Sequence, residues 1–174
     1  MNEPSKDKIG LWDVLRPRVS QLKGLDRVAR GVGVIVGARF MEYLSIGRLV
    51  ERYARRQPDH PALLFEDREY SYAAFNAQAN RYAQVLKSAG VKPGDTVAVL
   101  LENRPETLFA VTAIAKLGAI AAMCNTKQSG EVLAHSLKTV KASFALVGVE
   151  LVAVFDEVRS QLGLEASERA WFVA

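Results

Sequence analysis

Thr96-Val97-Ala98-Val99-Leu100-Leu101 is a continuous apolar run, and Glu102-Asn103-Arg104-Pro105 punctuates it before a helical pattern over residues 106–117. Gly118 follows, and a second apolar run over residues 119–124 ends at Asn125. A strand covered on both faces loses the polar–apolar alternation of a half-exposed one. Two such runs joined through a helix therefore predict a βαβ unit inside a parallel sheet. Pro105 suits the first helical turn, where its missing N–H is no loss, and Gly118 suits the helix end. Leu108, Phe109, Val111, Ile114 and Leu117 lie around most of the helix circumference, so the helix is expected to be covered on more than one side.

Working outward from this unit, the 174 residues and 49% apolar content predict one α/β domain plus an extension. A single cysteine, Cys124, excludes an intrachain disulfide and points to a reducing compartment. With two histidines, His60 and His135, it shows no metal-ligand spacing. Charge is uneven. Residues 1–56 hold 12 Lys/Arg against 6 Asp/Glu, and residues 57–174 hold 11 against 13. The basic excess thus belongs to the N-terminal part and suits a membrane surface or another anionic partner. Nucleic acid is not expected, since no aromatic and basic residues interleave as a stacking platform would require. The longest apolar run near the N-terminus, residues 31–38, is too short for a spanning helix, which needs roughly 20 residues. A cytoplasmic chain with peripheral membrane attachment is the expectation.

The extension is placed at residues 1–44. Leu11, Trp12, Leu15, Val19 and Leu22 share a helical face, with Pro17 starting or kinking that helix. Asp26 could cap a segment with Val28, Val32, Ile35 and Val36 on one side, suited either to a bilayer interface or to packing on the protein itself. The α/β part is placed at residues 45–174. Ser45 is expected to cap a helix over 46–56. Short strands over 62–65 and 70–72, joined by Glu66-Asp67-Arg68-Glu69, read as a hairpin. Ser71 then caps a helix carrying Phe75, Ala79, Tyr82, Leu86 and Ala89, and Gly90 to Asp95 turns the chain into the strand at Thr96. Beyond Asn125 come a helix over about 131–140, a buried strand over 143–147 and a helix over 151–162. Trp171-Phe172-Val173 is extended and apolar. Either it inserts beside an existing strand, or the chain is the leading part of something longer.

The search for a reactive constellation assigns no catalytic, cofactor-binding or metal residue. No phosphate-cradling Gly-x-x-x-x-Gly-Lys-Ser/Thr loop occurs. The glycines at 31, 33 and 37 have the wrong spacing for a dinucleotide loop, and Ser20-x-x-Lys23 is too short a pattern to carry weight. Glu131 and His135 are four residues apart on a predicted helix and could share a face, but a general base also needs a substrate pocket. Glu102 and Glu106 flank the strand end where ligands of α/β sheets usually bind, and residues 103–106 could border such a site. The helix dipole accounts for the same acidic residues.

Residues 46–148 resemble the opening region of the adenylate-forming superfamily, the acyl-CoA synthetases and their relatives. The resemblance is carried by Arg55-Arg56-Gln57-Pro58-Asp59, Pro61-Ala62-Leu63, Tyr70-Ser71-Tyr72, Phe75-Asn76 and Ala79-Asn80. It continues through Gly90 to Ala98, Glu102-Asn103-Arg104-Pro105-Glu106 and Lys116-Leu117-Gly118-Ala119. The segment from Leu101 to Glu106, with Leu133-Ala134-His135-Ser136-Leu137, is most similar to the very-long-chain acyl-CoA synthetase and fatty-acid transport protein branch. That branch commonly carries an Asn-Leu-Arg-like sequence where this chain has Lys127-Gln128-Ser129.

The resemblance implies a part of a larger synthetase fold and a two-step ligase using fatty acid, ATP, Mg2+ and CoA. A carboxylate attacks the α-phosphate to give an acyl-adenylate and pyrophosphate, and the CoA thiol then displaces AMP. The family's phosphate loop, adenine-binding segment, ribose-binding aspartate and catalytic lysine all fall later than the region covered here. The isolated chain is therefore expected to need no cofactor and to be inactive. Two alternatives stay open: a non-catalytic regulatory protein using residues 11–56 to bind membranes or a partner, and a small stand-alone nucleotide-binding α/β protein.

Overall fold

The computed structural model describes residues 45–164 and 169–173. The expectations for residues 1–44 lie outside the described residues.

Ser45 opens the first described helix, α1 (Ile46–Arg56), with its hydroxyl accepting the Arg48 N–H at 3.3 Å. An antiparallel hairpin follows, β1 (Pro61–Phe65) and β2 (Arg68–Ser71). Its turn is the two residues Glu66-Asp67, with Glu66 at φ +50°, and not the four expected. Arg68 and Glu69 pair with Phe65 and Leu64 through the backbone while their side chains stay in solvent, so no apolar alternation announces them. Ser71 caps α2 (Tyr72–Ser88), accepting from Ala74 N–H at 3.2 Å.

The parallel part is β3 (Thr96–Leu100), α3 (Pro105–Lys116), β4 (Ile120–Met123), α4 (Gly130–Thr139), β5 (Phe144–Gly148), α5 (Val152–Arg159) and β6 (Ala170–Val173). Sheet order is β4-β3-β5-β6, every neighbour parallel. The expected helix over 151–162 is α5 with a short 3-10 turn at each end, stopped by Gly163 in the left-handed region at φ +65°. The apolar ending does insert beside an existing strand: β6 pairs with β5, Leu146 opposite Trp171.

The alternation within each strand divides the core. Val97, Val99, Leu146 and Val173 pack with Leu86 of α2 and with Ala110, Ala113 and Ile114 of α3. Ala98, Leu100, Ala145, Val147 and Ala170 pack with Leu133 and Leu137 of α4 and with Phe155 and Val158 of α5. β3 is buried on both faces, as its apolar run predicts. β4 is not. It is an edge strand whose Ile120 and Met123 are 55% and 57% exposed, because no strand lies beyond it among the described residues. Helix α3 is buried on several sides, although Leu108 remains 41% exposed. A third cluster, Val50, Phe75 and Phe109 with Leu63 and Tyr70 against it, brings α1, α2, α3 and the hairpin together.

Thr112 on α3 is fully buried, and its hydroxyl has no hydrogen-bond partner among the described residues. An unmet buried hydroxyl costs about 1–3 kcal/mol of desolvation, and valine has nearly the same shape. Thr112→Val is expected to raise unfolding free energy by about 1 kcal/mol in urea denaturation; a loss of stability would mean that the hydroxyl finds a partner.

Candidate functional site at the carboxyl edge of the sheet

In an open parallel sheet, ligands enter where chains leaving two neighbouring strands turn to opposite faces. Here that point lies between β3 and β5. The chain leaves β3 for α3 on one face and leaves β5 for α5 on the other. Residues 101–106 and 148–151 border the crevice, with the end of β6 beside it.

The β3–α3 turn is fixed first. Thr107 Oγ1 donates to Glu102 O at 2.7 Å, and Thr107 N–H donates to Arg104 O at 3.1 Å. This holds Arg104 at the N-cap of α3, a position where it makes no capping bond of its own. Its guanidinium instead reaches across the end of β5. Nη2 donates to Val173 O of β6 at 2.7 Å and lies 3.5 Å from Glu150 Oε2, while Nε lies 3.9 Å from Glu106 Oε2. Gly148, the last residue of β5, is what lets Glu150 fold back to this point. A Cβ there would stand 2.6 Å from Glu150 Cδ. Burial pushes the nearby Tyr82 phenol up, the Glu106 charge pushes it further, and Arg104 opposes both.

Tyr82 also lines a groove of about 380 Å3 between α2 and β6, with Arg81, Val85, Leu146, Trp171 and Val173 among its walls. At the other side of the edge, Lys127 Nζ sits 3.5 Å from Glu102 Oε1, but both side chains are well exposed and such a pair contributes little. Asn125 Oδ1 accepts the Lys127 N–H at 2.9 Å, which makes the residue a turn-former.

The residues singled out by sequence are thus distributed as follows. Glu106 and Arg104 meet at the crevice, Glu102 faces Lys127, and Asn103 is exposed. His135 is exposed on α4 with its Nε2 3.5 Å from Thr139 Oγ1, and among the described residues no hydrogen bond or ion pair joins it to Glu131. His60 Nδ1 lies 3.1 Å from Pro61 O in the loop. Burial pushes the Cys124 thiol up, with a backbone hydrogen bond at Val99 opposing it. No group of three or more His, Cys, Asp or Glu able to hold a metal occurs among the described residues. Arg104 and Lys127 at this edge stand beside carboxylates, Arg104 beside Glu106 and Glu150 and Lys127 beside Glu102. No helix among the described residues is long and apolar enough to cross a membrane.

Sequence reading missed Glu150, Gly148 and Tyr82. Arg104 and Val173 are 69 residues apart, and no local pattern marks either as the other's partner.

Residues 50–171 match the family model described as AMP-binding enzyme. The chain is 40% identical over 141 residues to a medium/long-chain-fatty-acid–CoA ligase, FadD6, of Mycobacterium tuberculosis, covering 81% of this chain and 24% of that protein. It is 36% identical over 121 residues to long-chain fatty acid transport protein 1 of Rattus norvegicus, covering 68% of this chain and 19% of that protein. Among solved structures, the N-terminal domain of FACL13 from M. tuberculosis superposes with TM-score 0.64 at 32% identity, over 68% of this chain and 31% of that one. A fatty acyl CoA synthetase of the same organism gives TM-score 0.66 at 30% identity, over 74% and 26%. The chain therefore spans about a quarter or less of the curated relatives it matches. With a family match over most of its length, the chain belongs to the AMP-binding enzyme family.

Proposed function

We propose that this chain is the N-terminal α/β portion of a long- or very-long-chain fatty acid–CoA ligase and that it does not form acyl-adenylate by itself. The supporting observation is the combination of 40% identity to a fatty-acid–CoA ligase with coverage of only 24% of it. In this reading ATP, Mg2+, CoA and the fatty acid are bound by the whole protein. The residues described here build the sheet on which that protein rests. Adenylate formation needs cations and donors aimed at the transferring phosphoryl group. Arg104 is engaged by Glu106, Glu150 and the Val173 carbonyl, so its guanidinium is not free for that work. Calorimetric titration of the purified chain with ATP and with AMP is expected to show no saturable binding in the micromolar range. Micromolar binding of either nucleotide would favour the stand-alone nucleotide-binding reading instead.

A second reading, attachment to an anionic membrane surface in the cytoplasm, draws on the basic excess of residues 1–56. Within the described part, Arg52, Arg55 and Arg56 of α1 are exposed. Co-sedimentation with vesicles containing phosphatidylserine should be lost between about 0.1 and 0.5 M salt and should require the extension of residues 1–44. Binding that is insensitive to salt, or intact without the extension, would contradict it.

A further inference from the structure

We infer that Arg104 is a positioning residue that latches the carboxyl end of β6 to the ends of β3 and β5 across the crevice between them.

β6 is four residues long and is held by its ladder to β5, by Ala170 and Val173 in the core and by Trp171 stacked on Phe144. Among the described residues it pairs with β5 alone and leaves Phe172 half-exposed. Arg104 supplies a charge-assisted hydrogen bond at the strand's last described carbonyl, Val173 O, from a turn that Thr107 fixes. Its guanidinium is aimed there by Glu150, which comes from the turn after β5, and by Glu106 of its own helix. The three contacts join the ends of β3, β5 and β6 at the point where this class of sheet admits ligands. Nε lacks a hydrogen-bond partner among the described residues, so the guanidinium is incompletely satisfied.

Gly148 offers a way to test the latch without touching the arginine. Its backbone, at φ −63° and ψ 142°, is open to any residue, so Gly148→Ala introduces no backbone strain. Its new Cβ would occupy the space of the Glu150 carboxyl and turn that side chain away.

The experiment is native-state hydrogen exchange on the full 174-residue chain, comparing wild type with Arg104→Gln, Glu150→Gln and Gly148→Ala. Exchange at the amides of residues 170–173 is expected to accelerate about ten- to a hundredfold in Arg104→Gln, the range for losing a charged hydrogen bond. Smaller accelerations, at least about threefold, are expected in the other two, with the amides of β3 and β4 unchanged in all three. Unchanged exchange in β6 would overturn the proposal. So would uniform acceleration through all strands, since Arg104 would then serve general stability, and so would acceleration in Arg104→Gln alone, since the carboxylate arm would then do nothing. Should Arg104→Gln fail to fold, the other two variants decide by the same criteria.

Discussion

Lys116→Met is expected to lower the unfolding free energy by about 2–4 kcal/mol, read from urea denaturation at neutral pH. Lys116 ends α3, and its side chain is only 8% exposed. An ammonium has three donors and no acceptor, and all three are used. Nζ donates to Glu51 Oε1 on α1 at 2.7 Å, and to Asn76 Oδ1 and Asn80 Oδ1 on α2 at 2.7 and 2.8 Å. Asn76 and Asn80 are four residues apart and so present their amides from one helix face. Methionine keeps the stem's apolar contacts and removes the charge, leaving three acceptors to find water. Hydrogen bonds to charged groups contribute about 1.5–3 kcal/mol each, and partial exposure of Glu51 and Asn80 reduces the sum. A loss below about 1 kcal/mol would show that the three helices do not depend on this contact.

The same contact predicts a pH dependence. The Lys116 hydrogen bond holds the Glu51 carboxyl below its ordinary value of 4.5, with the charges of Lys116, Arg55 and Arg48 assisting and burial opposing. A native pKa below the unfolded one gives stability that is fully present above about pH 4.5. It is lost as pH falls through the lowered native value. In Lys116→Met the largest cause disappears, and the acid limb of the stability curve should become shallower. Gly47 belongs to the same joint: a Cβ there would stand 2.6 Å from Lys116 Cγ and 3.1 Å from its backbone nitrogen. Gly47→Ala should therefore destabilise despite alanine's better helix propensity of about 1 kcal/mol.

Phe109→Ala should cost more, about 3–5 kcal/mol. Phe109 is almost wholly buried, and its ring is the hub of the third cluster. Tyr70 of β2 meets it at 5.3 Å and 72°, and Phe75 of α2 at 5.0 Å and 79°. Such edge contacts add about 0.5–1.5 kcal/mol each beyond area burial. Removing the ring opens a cavity shared by the hairpin, α2 and α3, and none of them can close it alone. Leu108→Ala, one residue earlier on the half-exposed side of the same helix, is expected to cost under about 1 kcal/mol. Equal losses at the two positions would contradict the assignment of Phe109 as the tie between hairpin and sheet.

These joints mark the limit of what the sequence discloses. The apolar run of residues 96–101 announces a strand covered on both faces, because a doubly buried strand has no polar alternation to hide. Ser45 and Ser71 announce their helices because capping is local chemistry, settled within three residues. β4 misleads for the complementary reason. Its residues are as apolar as those of β3, yet sheet order places it at an edge, and order is decided by crossovers rather than composition. The hairpin turn misleads because Arg68 and Glu69 are polar residues whose backbones still pair. At the carboxyl edge, Glu102 to Glu106 were visible as punctuation after a strand and as part of the family resemblance. The partners of Arg104 were not, since Glu150 reaches it only through two crossovers and Val173 through three. Lys116 was likewise legible only as a basic residue in a last turn, the ordinary response to the helix dipole.

Fatty-acid-dependent exchange of labelled pyrophosphate into ATP tests the central claim most directly. It would be measured on the 174-residue chain and on the chain joined to the remaining C-terminal part of the M. tuberculosis ligase. The account predicts background exchange for the chain alone and clear exchange for the fusion. Fatty-acid-dependent exchange by the purified chain alone would contradict it.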